Sequence, residues 1–165
     1  MTEAPHVLLL DSSSQYDQSS RTRFVKALTS EGLRVSSGRA RDAAALAYPS
    51  GAVHVVVVRN PDAIGVLTKL ELHRVQSLCL VSHPWSPADI EFVEALDLPL
   101  LVVHGQENSV TPMADAEAAV KLAPDGRLVA VTGADHTLPS DLEDLVAGIV
   151  RVHVAQAHST QSDRW

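Results

Sequence analysis

Residues Val53–Val58, with the sequence VHVVVV, form the most strand-like segment of this 165-residue chain. Polar residues follow the run at once, beginning with Arg59. A continuous apolar run of this length is typical of a strand that is buried on both faces, as the strands of parallel sheets are. His6–Asp11, with the sequence HVLLLD, has the same character near the start of the chain. Both runs therefore predict buried strands of a parallel sheet.

Predicted strands and helices alternate outward from these runs. The predicted strands are His6–Asp11, Leu33–Arg39, Val53–Val58, Val75–Ser82, Leu98–Gly105 and Arg127–Thr132. The predicted helices are Arg21–Glu31, Ala43–Tyr48, Pro61–His73, a helix opened by Ser86–Asp89, Pro112–Leu122 and Leu142–Ala155. This alternation indicates an α/β protein with a doubly wound, mostly parallel, six-stranded sheet. Leu33–Arg39 is polar, so we expect it at a sheet edge.

Length and charge limit the class of protein. A chain of 165 residues, 45% of them hydrophobic, predicts a single domain over residues 1–158 and a flexible C-terminal tail over 159–165. The net charge of −7 provides no basic surface for phosphates, so we expect no nucleic-acid partner. The chain shows neither a signal-peptide pattern nor an 18-residue apolar run, so we expect a cytoplasmic protein without a membrane partner.

Two segments of the C-terminal half carry a resemblance to a known family. Leu98–Pro112 (LPLLVVHGQENSVTP) resembles the strand and loop that present the catalytic acid in α/β-hydrolases. Arg127–His136 (RLVAVTGADH) resembles the last strand and the loop that carries the catalytic histidine. Their order, with a helix between them, is more specific than either segment alone. The resemblance covers about residues 6–155 and implies a ligand site outside the carboxyl ends of the strands.

The chain departs from this family where the family keeps its chemistry. The nucleophile elbow Gly-x-Ser-x-Gly is absent from Val55–Gly65, where Pro61 or Asp62 replaces the serine. Asn108 stands at the position of the acid, and the lid and two N-terminal strands are missing. Proline cannot attack a carbonyl, and asparagine cannot stabilise imidazolium with a full charge. The resemblance therefore implies a minimal, lid-less and degenerate α/β-hydrolase core, not a Ser-His-Asp hydrolase.

His136 matches the family's catalytic histidine with its chemistry intact, and it can take or give a proton near neutral pH. The alternative is that His136 is a solvent-exposed residue that persists from an ancestral enzyme and has no function here. Asn108 is the predicted orienting partner, with Glu107 as a substitute, unless both only form a polar turn. Asp62 could be a carboxylate nucleophile, as in dehalogenase-like and epoxide-hydrolase-like relatives. More simply, Asp62 lies in the first turn of a helix, where its charge favours the dipole.

Other residues are candidates for substrate binding. Ser12 and Ser13 occupy the position of the oxyanion loop, although they would equally serve as a helix-capping turn. Trp85 either lines a pocket or packs on the adjacent helix. His83 and His104 follow neighbouring strands, but no histidine pair has helical ligand spacing, so we expect no metal and no other cofactor.

Several functions remain open. The first is a non-hydrolytic enzyme that performs proton transfer or elimination on a small molecule with His136 as the base, similar to hydrolase-fold tailoring enzymes of bacterial polyketide pathways. The second is a non-catalytic binding or scaffold protein, and the third a residual hydrolase that uses Asp62 and His136. A flavodoxin-like or receiver-like domain would share the core strand order, but Asp11 lacks the clustered aspartates of a receiver. The uncovered sheet edge is one place for a homodimer to form.

Overall fold

A six-stranded parallel sheet forms the centre of the computed structural model, which describes residues 3–11, 18–39, 42, 52–68, 70, 72–136 and 141–162. The strands are β1 His6–Asp11, β2 Arg34–Arg39, β3 Val53–Val58, β4 Val75–Val81, β5 Leu100–Gly105 and β6 Gly126–Val131. Their order is β2-β1-β3-β4-β5-β6, and every neighbouring pair is parallel. The predicted fold class is confirmed, and the polar strand β2 lies at an edge as expected. Dimerisation through that edge stays a prediction.

Helices cover both faces of the sheet. They are α1 Gln18–Ser30, α2 Ala63–Leu67, α3 Pro87–Glu94, α4 Met113–Leu122 and α5 Glu143–Ser162, with a 3₁₀ turn at Leu72–Arg74. Side chains of α1 and α5 pack on one face, and side chains of α2, α3 and α4 pack on the other. Among the described helices, none combines the length and apolar character that a bilayer crossing requires.

Three helix predictions differ from the structure or lie outside it. The predicted helix Pro61–His73 is replaced by the short helix α2 and the 3₁₀ turn. The last helix continues past Ala155 to Ser162, into the segment that was expected to be a tail. The predicted helix Ala43–Tyr48 lies outside the described residues.

Alternate side chains of each central strand enter opposite cores. Val56 and Val58 of β3 join the core under α1 and α5, whereas Val55 and Val57 join the core under the other helices. All six residues of β1, β3 and β5 are buried. This two-sided burial explains why these strands are continuous apolar runs in the sequence.

Two buried histidines lie where β3 and β4 meet α5. His54 Nδ1 lies 2.8 Å from Ser77 Oγ. Burial, followed by repulsion from His153, His158 and His6, lowers the pKa of His54 to about 4. Burial also lowers the pKa of His153 on α5 to about 4, although its hydrogen bond with the backbone of Leu78 acts in the opposite direction. Both side chains are therefore neutral at pH 7.

We expect acid to destabilise this fold through these two histidines. Their ordinary pKa is 6.5, so each binds fewer protons in the folded state than in the unfolded state. The free energy of unfolding should be highest above pH 6.5 and fall as the pH drops toward 4, by about 3 kcal/mol per histidine at the lower limit. Urea denaturation at several pH values measures this slope.

His54→Gln should flatten the pH slope because the buried titrating group is gone. Val55→Ala is the matched control, since Val55 is buried beside His54 and does not titrate. Val55→Ala should lower the free energy of unfolding by about 2 kcal/mol, and by the same amount at each pH. A free energy of unfolding that is constant between pH 7 and pH 5 would contradict the prediction.

Candidate active site

The loops that follow four neighbouring strands enclose a cleft of about 380 Å³. Arg59 follows β3, and Ser82 and Pro84 follow β4. Val110 and Thr111 follow β5, and His136 follows β6; these six residues line the cleft. The cleft thus lies at the carboxyl ends of the strands, where ligands bind in open parallel sheets.

Arg59 occupies the sharp turn that leads from β3 toward α2. Its φ of 44° lies in the left-handed region, which residues other than glycine seldom adopt. Its backbone N–H donates to the carbonyl oxygen of Val81, 3.0 Å away on the neighbouring strand. The buried Asn60 continues the turn and accepts a hydrogen bond from the backbone N–H of Asp62 at 2.9 Å. The turn shares left-handed strain and a strand-to-helix position with a nucleophile elbow, and its left-handed residue is an arginine.

The residue with the strained backbone is therefore Arg59, and not Pro61 or Asp62, which the sequence predicts at the elbow. Pro61 and Asp62 are exposed in the turn before α2, and neither belongs to the described lining of the cleft. The sequence pattern does not indicate Arg59, because Gly-x-Ser-x-Gly matched within Val55–Gly65 places the serine at Pro61 or Asp62. The sequence feature that points to Arg59 is its position directly after the valine run of β3, where the strand ends and the chain turns.

Ser82 is a second strained residue at the same end of the sheet. Its φ is 51°, and its backbone N–H donates to Val103 O at 2.9 Å. Arg59 and Ser82 follow adjacent strands, and both line the cleft. Non-glycine residues in this region persist only where the surrounding structure fixes them, and they cluster at functional sites.

A buried pair holds the loop after Ser82. His83 Nε2 lies 3.0 Å from Asp89 Oδ2, and both side chains are almost fully buried. Asp89 also accepts from the backbone N–H of Ser86 at 2.8 Å and so completes the capping box of α3. Burial raises the pKa of Asp89, but the interactions with His83 and Ser86 outweigh it and keep that pKa below its usual range. Trp85 packs edge-on against His83, with ring centroids 4.7 Å apart, and against the core beside it.

Asn108 is buried and organises the turn after β5. Its Oδ1 accepts hydrogen bonds from the backbone N–H groups of Val110, at 3.1 Å, and Thr111, at 2.8 Å. His104 Nε2 holds the same turn through Thr111 O at 2.8 Å. No hydrogen bond joins Asn108 to His136 among the described residues, where the Asn108 amide nitrogen is buried without a partner. Asn108 thus places the two cleft residues that follow it.

Glu107 and Gln106 connect the loop after β5 to the loop that carries His136. Glu107 Oε2 accepts from the Gly133 N–H at 2.9 Å, and the Glu107 N–H donates to Ala134 O at 3.0 Å. Thr132 Oγ1 donates to Gln106 Oε1 at 2.9 Å. Glu107, considered as a substitute partner for His136, therefore binds the backbone of the histidine loop.

His136 itself is exposed and lines the cleft. The predicted binding residues Ser12 and Ser13 lie outside the described residues. Of the other histidines near this end of the sheet, His83 contacts Asp89 and His104 contacts Thr111. Within the part of the chain that the structure describes, no group of three metal-ligating side chains is assembled.

Comparison with known proteins establishes the fold. No family model matches the chain, and no curated protein matches its sequence. An esterase from Thermogutta terrifontis is 15% identical, with a TM-score of 0.74 over 94% of this chain and 91% of that chain. Est1E from Butyrivibrio proteoclasticus is 12% identical, with a TM-score of 0.75 over 95% and 89%. A meta-cleavage product hydrolase from Pseudomonas fluorescens is 13% identical, with a TM-score of 0.72 over 94% and 92%. The chain has the α/β-hydrolase fold, and likeness at these identities shows the fold alone.

Gly105 should be essential to the position of the His136 loop. A Cβ atom at Gly105 would lie 2.2 Å from Ala134 O and 2.5 Å from Asp135 O, so Gly105→Ala must push that backbone away. We expect a loss of about 1–3 kcal/mol in the free energy of unfolding, together with altered NMR shifts of His136. Gly65→Ala is the matched control, because a Cβ there meets nothing within 4 Å. Wild-type stability and unchanged His136 shifts in Gly105→Ala would refute this account of the loop.

Proposed function

We propose that this protein is a small-molecule enzyme in which His136 transfers a proton and no covalent enzyme intermediate forms. The observation that carries the proposal is the pairing of residues at the cleft. A histidine, a residue type that serves as a general acid or base, lines it, while an arginine occupies the strained turn where a hydrolase would hold its nucleophile. A guanidinium cannot attack a carbonyl, so the arrangement favours proton transfer over acyl transfer.

An elimination fits these groups best. The neutral imidazole of His136 takes a proton from a carbon next to a carbonyl group, and the C–H electron pair forms a double bond as the leaving group departs with its own pair. The resulting imidazolium can return the proton to the leaving group. The hydroxyl groups of Ser82 and Thr111, which line the same cleft, are available to donate hydrogen bonds to the oxygen that gains charge.

Substrate candidates follow from the size of the cleft and from the resemblance. A volume of about 380 Å³ lies at the small end of ligand pockets. The resemblance to tailoring enzymes of bacterial polyketide pathways makes the intermediates of such pathways the first compounds to test. The alternative functions are a non-catalytic binding protein and a residual hydrolase that uses Asp62. The exposure of Asp62, outside the described cleft lining, counts against the latter.

We expect no nucleophilic serine. The purified protein should hydrolyse p-nitrophenyl acetate no faster than free imidazole at the same concentration, because a lone histidine supplies all of its catalysis. It should also remain unlabelled by a fluorophosphonate, as read by intact-protein mass spectrometry. Stoichiometric labelling of any serine would contradict the proposal, and labelling of Ser82 would point to a hydrolase with a displaced nucleophile.

His136→Ala should abolish most of the turnover once a substrate is found. Removing a general base costs about 10²- to 10⁴-fold in rate, and an exposed loop side chain contributes little to folding. The thermal midpoint should therefore be unchanged. His73→Ala, at another exposed histidine away from this cleft, is the matched control and should retain full activity.

Two further variants separate the alternatives. Asn108→Ala should reduce activity less than His136→Ala, because it loosens the turn at Val110 and Thr111 and leaves the proton acceptor in place. Asp62→Asn should be silent unless that carboxylate attacks the substrate. Full activity in His136→Ala would remove the proposal and leave the residual hydrolase that uses Asp62.

A further inference from the structure

We propose that two copies of this chain dimerise through the free edge of β6 and the adjacent flank of α5. The flank consists of Leu145, Ile149 and Val152, and the edge and the flank together form the β6 face. The inference concerns a surface outside the cleft and does not depend on the proposed function. Three observations support it: the unpaired backbone of β6, its apolar side chains and the exposed apolar row on α5.

The backbone of β6 directs a row of hydrogen-bonding groups away from the sheet. The carbonyl oxygens of Asp125 and Val131 accept hydrogen bonds from the β5 side, at 2.8 Å and 3.0 Å. Because the backbone groups of successive strand residues point to opposite sides, Gly126, Leu128 and Ala130 direct their N–H and C=O groups away from β5. Within the described part of the chain, no strand pairs with that side.

The side chains of β6 do not protect this edge as those of β2 protect the other. The sequence of β2 is RVSSGR, whereas that of β6 is GRLVAV. Natural proteins keep an edge from pairing by charged side chains, proline, bulges or a covering segment. The charged side chain of β6 is Arg127, and it donates a hydrogen bond to Gln156 on α5. The apolar remainder of the strand favours pairing at β6 over pairing at β2.

The flank of α5 extends this apolar edge. Leu145, Ile149 and Val152 are spaced by four and three residues, so they lie in one row along the helix. Leu145 is 52% exposed and Val152 is 51% exposed. Ile149 and Val152 line a groove of about 290 Å³ together with Val129 of β6. A single exposed apolar residue needs no explanation, but a row beside an open strand edge forms a continuous surface that a partner can cover.

A second copy of the chain satisfies this surface. In an antiparallel two-fold arrangement, Leu128 lies opposite Leu128 of the second copy, and Gly126 lies opposite its Ala130. Each outward N–H group then meets an outward carbonyl oxygen, and the two sheets join into one. The two-fold axis also keeps both α5 helices on the same face of the joined sheet. One surface thus supplies both halves of the contact, as a symmetric dimer requires.

The size of the β6 face is sufficient for a stable dimer. The helix α5 has 20 residues, which corresponds to a length of about 30 Å. The face is about 25 Å deep through α5, β6 and α4, because a helix with its side chains is about 10 Å wide. Contact over this face would cover about 750 Å² per copy, close to the roughly 800 Å² per partner of a standard interface.

The test is light scattering and sedimentation of the purified chain over a range of concentrations. At high micromolar concentration we expect twice the 17.6 kDa mass of the chain. Ala130→Pro should weaken the dimer about tenfold or more, because it removes an outward N–H at an exposed edge position where proline is tolerated. Val152→Glu should weaken it by a similar factor, because the contact would bury an unpaired charge. Circular dichroism and thermal melts check that both variants are folded.

Two matched variants should remain dimeric. Ser37→Pro makes the same change on β2, where the N–H of Arg34 donates to Pro5 O on the β1 side and that of Ser37 points to the free side. Val110→Glu places a carboxylate on an equally exposed valine outside the β6 face.

Hydrogen exchange provides a direct readout of strand pairing. The amides of Leu128 and Ala130 should become protected as the concentration rises, whereas that of Val129, which faces β5, should be protected throughout. A wild-type monomer at high micromolar concentration would overturn the inference. So would a dimer that neither Ala130→Pro nor Val152→Glu weakens, and a dimer lost in Ser37→Pro alone would place the interface at β2 instead.

Discussion

Two-sided burial of the central strands is the constraint on which the rest of the structure depends. Every residue of the strands β1, β3 and β5 is buried, and their valines and leucines belong to one of two apolar cores, where each stabilises the fold by about 1.5–3 kcal/mol. Such strands require helices on both faces, and parallel strands require crossovers to connect them. The crossovers bring all the strand-to-helix turns to one edge of the sheet. The cleft exists because four of those turns meet there.

Backbone hydrogen bonds between neighbouring strands stabilise strained turns at that edge. Arg59 and Ser82 each adopt a left-handed φ, at a cost of order 1–3 kcal/mol. Each also donates its N–H to a carbonyl oxygen on the next strand, Val81 and Val103 respectively. The hydrogen bonds of the sheet therefore continue one residue beyond the strand and fix the turn.

The polar residues after β5 form hydrogen bonds that fix their own turn and the loop that carries His136. Glu107 binds the Gly133 N–H, and Asn108 binds the N–H groups of Val110 and Thr111. In a hydrolase, a carboxylate in this loop orients the catalytic histidine and stabilises its imidazolium form. Here the loops are joined by hydrogen bonds of Glu107 to the backbone and by the side chains of Gln106 and Thr132, and the permanent charge of the described cleft lining comes from Arg59.

Much of the fold was determined by the sequence alone. The continuous valine and leucine runs define the buried strands, and the polar run Arg34–Arg39 defines an edge. Ser86 with Asp89 defines the start of α3. These features are readable from the sequence because burial periodicity and capping act over a few neighbouring residues. The histidine loop after β6 was also located from sequence, together with its place at the carboxyl end of the sheet. The tertiary structure decided which residue occupies the turn after β3, because φ at Arg59 is set by contacts with β4 and by Asn60 rather than by its own type. It likewise decided the partners of Glu107 and Asn108 and the neutral burial of His54, since each depends on segments that are distant in sequence or on the turn adopted around it.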